Sequence, residues 1–219
     1  MAGAAPDLSL DAVDSRARTV SLSVFGALHP EDLDGIGTLV LLGPCEPGFW
    51  PSFTASPEYR DGQSDAMDRW SSRVIGALAE ELGATALFPF GGAPFHPFIC
   101  WALESGRSWQ SPVQLLVHDR AGLFASFRGA LGFEARIALP PAPAAAPCDS
   151  CTDKPCLSAC PAGALTARGY DVAACKSFLR TEAGRDCMAG GCRVRRACPV
   201  SREYGRLEAQ SAFHMRAFL

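Results

Sequence analysis

Eight of the chain's ten cysteines lie between Cys148 and Cys198, and they form two runs of four. The first is Cys148-x2-Cys151-x4-Cys156-x3-Cys160-Pro161; the second is Cys175-x11-Cys187-x4-Cys192-x5-Cys198-Pro199. So many thiols in so short a stretch must either cross-link or bind metal, and either outcome fixes the chain path more firmly than side-chain patterning can. The opening MAGAAPDLSLDAVDS has neither the basic region nor the apolar region of a secretory signal, so the chain is expected to stay in the reducing cytoplasm. Thiols there serve as metal ligands far more often than as disulfides. No run approaches the roughly 18 apolar residues of a membrane span.

The spacing favours iron-sulfur chemistry. Closely spaced thiolates on a tight loop wrap one face of a cubane, while a last cysteine beside a proline reaches a neighbouring cluster. In bacterial two-cluster ferredoxins the fourth cysteine of each motif ligates the other cluster in this way. Zinc is the alternative, because four cysteines with short gaps also make a tetrahedral structural site. The two Cys-Pro ends, and Cys175 isolated in a helical segment, fit zinc less well.

Residues 147 to 200 resemble the ferredoxin-type domain of epoxyqueuosine reductase, a cobalamin-dependent iron-sulfur enzyme. The likeness rests on the paired Cys-Pro ends, the lone cysteine of Asp171-Val-Ala-Ala-Cys175-Lys-Ser-Phe-Leu179 and the closing cysteine block. It implies two [4Fe-4S] clusters, one on Cys148, Cys151, Cys156 and Cys198, the other on Cys160, Cys175, Cys187 and Cys192. Three gaps depart from the family: Thr152-Asp153-Lys154-Pro155 puts four residues where two are usual, and the last block has gaps of four and five where two and three are usual. The ligand count survives these insertions. The resemblance also implies a corrinoid between an N-terminal domain and the clusters, although no N-terminal motif of that family is matched.

Charge changes along the chain. Before Cys148 there are 9 basic and 16 acidic residues, and from Cys148 onward 11 and 7. Arg193, Arg195, Arg196 and Arg202 would offset the negative charge of thiolate-bound clusters and raise their potential. Gly190 and Gly191 would let the backbone approach and turn amide hydrogens toward sulfur. Because the whole chain carries a net charge of -3, these arginines suggest a cluster-compensating or partner-docking face rather than nucleic-acid binding.

The rest predicts an α/β N-terminal domain over residues 1–139, a Pro/Ala linker at 140–147, a small loop-rich ferredoxin-like α+β domain at 148–206 and a C-terminal helix at 207–219. Residues 1 to about 35 are weakly patterned, with a short strand around Val20 to Leu28. The apolar run Thr38–Leu42, stopped by Gly43-Pro44, predicts a buried strand, and Cys45 to about Arg60 a loop. Met67, Trp70, Val74, Ile75, Leu78 and Leu82 recur at helical steps before Gly83, and Ala84–Phe90 reads as a strand. Strand, helix and strand suggest a right-handed crossover in a partly parallel sheet. Val113–His118 is a third strand candidate, with Leu123–Leu131 either pairing with it or starting a helix.

His96, in the constrained loop Gly91-Gly-Ala-Pro-Phe-His96-Pro-Phe98, is the one N-terminal candidate for holding a cofactor; a packed loop histidine is the plainer reading. Cys45 and Cys100 read as small buried hydrophobes, and Trp50, Trp101 and Trp109 as core aromatics or pocket walls. Three functions follow as expectations: an electron-transfer protein serving a redox partner, a corrinoid-dependent reductase, or a metal-stabilised binding module.

Overall fold

The computed structural model describes residues 8–219, so the first seven residues of the weakly patterned N-terminal stretch lie outside the described residues. The chain forms two compact units. One comprises the residues up to Arg107 together with Ser126–Ala142; the other comprises Ser108–Ala125 and Pro143–Leu219. Among the described residues no helix is long and apolar enough to cross a membrane.

The first unit is a mixed α/β structure. Helix α1 (Leu10–Thr19) begins at Ser9, whose hydroxyl accepts the Ala12 N–H at 3.2 Å. It leads into β1 (Leu22–Leu28), and β2 (Thr38–Pro44) returns antiparallel to it. Strand β2 is buried along its whole length, as its unbroken apolar run predicts. Two short helices follow, α2 (Phe49–Thr54) and α3 (Pro57–Arg60), where a loop is expected. Aromatic packing explains them: Phe49 meets Trp70 edge-on at 5.3 Å, Phe53 meets Tyr59 at 5.2 Å, and Ser56 caps α3 with Pro57 at its first position.

Helix α4 (Ala66–Leu82) buries the predicted face, including Met67, Trp70, Val74, Ile75 and Leu78, and ends where Gly83 adopts φ +65°. Strand β3 (Thr85–Leu87) is shorter than predicted, and helix α5 (Phe98–Glu104) follows the glycine-rich loop. A hairpin, β4 (Ser108–Gln110) with β5 (Leu116–His118), precedes β6 (Gly129–Phe133).

The main sheet has the order β1-β2-β6-β3, and every pairing in it is antiparallel. This corrects the expectation of a partly parallel sheet. Strands β2 and β3 do run the same way, as a crossover through α4 requires, but β6 sits between them and pairs with both. The Leu123–Leu131 segment thus supplies a central strand of this sheet and pairs with neither β4 nor β5. Its glycines permit this by close approach: a Cβ on Gly129 would stand 2.8 Å from Ile75 Cδ1 of α4, and one on Gly132 2.6 Å from Ile36 Cδ1.

The second unit gathers the cysteines. After Pro143 it contains the two-residue strands β7 (Leu165–Thr166) and β8 (Gly169–Tyr170) and helices α6 (Val172–Leu179), α7 (Arg185–Gly190), α8 (Arg193–Ala197), α9 (Pro199–Glu203) and α10 (Glu208–Phe218). The C-terminal helix is where the sequence predicts it, packed on α7. The β4–β5 hairpin, expected in the N-terminal domain, belongs to this second unit. The Leu123 N–H donates to Ser201 Oγ at 2.8 Å, and Gln114 Nε2 donates to the Ala167 carbonyl at 2.7 Å. The chain therefore enters the unit twice, and the second entry falls inside the Pro/Ala stretch.

One ion pair in the first unit makes a pH prediction. Arg73 bonds both carboxylate oxygens of Glu58, the second at 3.0 Å, and holds that carboxyl down to about 2 from its usual 4.5. A carboxyl depressed on folding stabilises the protein above its unfolded pKa, and that stability is lost as pH falls through its folded pKa. Glu58→Gln should therefore lower the melting temperature at neutral pH. The difference from wild type should close as melts are repeated from about pH 4.5 down to about 2.

Candidate metal centre

Cys148, Cys151, Cys156 and Cys198 converge on one cavity of about 180 Å³. Three come from the loop before β7. Lys154, at φ +40°, turns that loop into a single 3₁₀ turn, Pro155–Leu157, which carries Cys156 inward. The fourth caps α9, with Pro199 at the first helical position, where its missing N–H costs nothing. Val117 and Leu123, from the β4–β5 segment, close the apolar side. The space exceeds the ~150 Å³ that admits a benzene ring into a protein interior.

These thiols interact strongly. Burial, then Cys156, Cys198 and Cys151, then Asp149, push Cys148 up to about 11. Cys156 is raised by burial and by Cys198 and Cys151, against the pull of the Cys156 and Leu157 backbone N–H groups. Four thiolates cannot coexist here without positive charge to bind them.

The other four meet around Cys192, which caps α8. Cys175, on α6, is raised by burial and by Cys192 and Cys160, while a hydrogen bond from the Tyr170 hydroxyl pulls it down. Cys187, on α7, is raised by burial, Cys192 and Asp186, and lowered by the Arg193 N–H and the Arg193 charge. For Cys148, Cys156, Cys175 and Cys187, every cysteine that shifts the thiol belongs to the same four. Both sets touch one apolar core, in which Val113, Val117, Leu123, Leu165 and Val194 pack with Cys148, Cys156, Cys160, Cys192 and Cys198.

Among the described residues no three His, Cys, Asp or Glu side chains converge tightly enough to hold one metal ion.

The arginines divide. Arg193 Nε bonds Asp186 at 2.6 Å, Arg196 bonds the same carboxylate, and Arg202 is exposed on α9. Arg195 Nη1 bonds the Leu123 carbonyl; burial lowers its pKa, against the pull of Cys192 and Tyr170. Gly191 serves a different end from the one expected. At φ +90° it makes room for α10, since a Cβ would meet Ser211 Cβ at 2.6 Å. The amides aimed at sulfur are those of Cys156, Leu157 and Arg193. Tyr170 was invisible to cysteine spacing; its position at the end of β8, five residues before Cys175, is the only local clue.

His96 lies in the first unit, exposed, with its ring tilted against Trp101 at 5.4 Å. Trp50 and Trp101 are core residues, and Trp109 packs beside the cysteine core. Two expectations are corrected here. Cys100 is exposed on α5, whose inward face is taken by Phe98, Trp101 and Ala102. Cys45 is half-buried and accepts a contact from Arg18 Nη1 at 3.5 Å, so neither is a core hydrophobe.

No family model, curated protein or solved structure matches the chain.

Alkylation of the reduced, metal-free protein should follow this geometry, because the thiolate is the attacking form. Mass-spectrometric peptide mapping should find Cys100 modified first and the buried Cys156, Cys187 and Cys198 last. Cys148 should stay slow until the pH approaches about 11. Early labelling of Cys148 at neutral pH would contradict the crowding described above.

Proposed function

We propose that the chain is an iron-sulfur electron-transfer protein whose second unit is a ferredoxin-type domain similar to that of epoxyqueuosine reductase. Cys148, Cys151, Cys156 and Cys198 would hold one [4Fe-4S] cluster, and Cys160, Cys175, Cys187 and Cys192 the other. The observation that carries the reading is the partly open cavity on which four thiols from two separate segments converge. When bound, such clusters take up and release single electrons.

The protein's own residues supply the setting. Five of the eight cysteines, drawn from both sets, pack in or against one apolar core. The Cys156 and Leu157 N–H groups donate to the Cys156 sulfur and the Arg193 N–H to the Cys187 sulfur, which favours the thiolate. A one-electron carrier protein in a reducing compartment is the partner this chemistry needs.

Anaerobic purification followed by iron, sulfide and zinc analysis tests the reading. The wild-type chain should carry about eight irons and as many sulfides, and Cys175→Ala should drop both toward about four. Cys100→Ala should leave both unchanged. Zinc without sulfide would refute the proposal.

A further inference from the structure

The turn of the β4–β5 hairpin places a buried serine in the wall of the first cysteine cavity. Ser111 follows β4, lines that cavity and is only 4% exposed. Its backbone is fully used: the Ser111 N–H donates to the Leu115 carbonyl at 2.8 Å, and the Ser111 carbonyl accepts the Gln114 N–H at 2.8 Å. Among the described residues its hydroxyl has no hydrogen-bond partner. A hydroxyl that gives up water without return is costly, and native folds keep few of them.

The turn leaves Ser111 little freedom. It precedes Pro112, and a proline restricts the residue before it to extended backbone. Val113 and Val117 are buried in the apolar core against which the cysteines pack, and Gln114 Nε2 donates to the Ala167 carbonyl at 2.7 Å. These contacts pin the turn from two sides. A donor already fixed in place loses little freedom when its acceptor arrives.

The other polar side chains of the wall are accounted for. Ser150 donates its hydroxyl to the Pro147 carbonyl at 3.3 Å, and Lys154 is exposed to water. The remaining lining side chains are apolar or are the thiols themselves. What the Ser111 O–H lacks is an acceptor, and a thiolate-bound cluster brings several, because its sulfurs accept hydrogen bonds.

We infer that Ser111 sets the reduction potential of the centre held by Cys148, Cys151, Cys156 and Cys198, its hydroxyl donating a hydrogen bond to a sulfur of that centre. This rests on the iron-sulfur reading proposed above. One electron taken up from a one-electron donor makes the sulfurs more negative, so the hydrogen bond is stronger in the reduced form and the potential rises. The serine proton stays on its oxygen, and no covalent bond is made or broken.

The test is a reductive titration of the anaerobic, cluster-loaded protein, followed by electron paramagnetic resonance, with iron and sulfide content measured on every sample. Ser111→Ala should lower one of the two midpoint potentials and leave the other in place, and the one that moves should be the one that persists in Cys175→Ala. Ser111→Thr, which keeps the hydroxyl, should return that midpoint toward the wild-type value. Ser108 provides the control: it is buried and its hydroxyl is also unpartnered among the described residues, but it does not line the cavity, so Ser108→Ala should leave both midpoints alone. Electron-nuclear double resonance on the reduced protein, compared in water and heavy water, should find one exchangeable proton fewer at this centre in Ser111→Ala. The inference is overturned if, at full iron content, Ser111→Ala moves neither midpoint or moves both. Should Ser111→Ala shed iron, Ser111→Thr decides: a full complement there upholds the role of the hydroxyl, and loss from both variants overturns it. Absence of iron from the wild-type chain would instead bring down the underlying reading.

Discussion

Thiols packed within electrostatic reach of one another, and partly out of water, resist ionising together. The second unit holds two such groups, and in one of them burial, and after it the neighbouring thiols, push Cys148 up to about 11. The arrangement is costly for a polypeptide on its own, because the thiolates repel and desolvation adds to that. A positively charged centre binding all four sulfurs reverses the sign of the interaction and turns the crowding into affinity. The short helices and tight turns of the unit hold the thiols in that crowding.

Several local devices serve it. The turn at Lys154 and the cap at Cys198 bring thiols from two separate segments to one cavity, while α6, α7 and α8 present single cysteines to the other set. The β4–β5 segment closes the apolar side through Val117 and Leu123 and is pinned by Ser201. Gly122 is the contact point, since a Cβ there would stand 2.5 Å from the Ser201 nitrogen.

Much of this was legible in the sequence where the signal is local. Strand β2 announces itself as an unbroken apolar run, and α4 as a helical stripe ended by Gly83. Long-range pairing was not legible. Strand β6 is a glycine-rich segment whose fitness for the sheet depends on Ile75 and Ile36, which lie far off in sequence. Membership of the β4–β5 hairpin in the second unit turns on the Leu123–Ser201 bond, 78 residues apart. Helix α1 hides because its buried face is only Val13 and Ala17, and α2 and α3 hide in a Gly/Pro/aromatic stretch that has the composition of a loop. Tyr170 escapes any spacing rule, because its role comes from the folded backbone.

X-ray absorption on the intact, anaerobically prepared protein bears most directly on whether these thiols enclose iron cubanes. The account predicts an iron edge with sulfur neighbours around each metal and a short iron–iron scattering path, lost when Cys156 and Cys187 are both replaced by alanine. A zinc edge with four sulfur neighbours and no metal–metal path, or no metal at all, would contradict it.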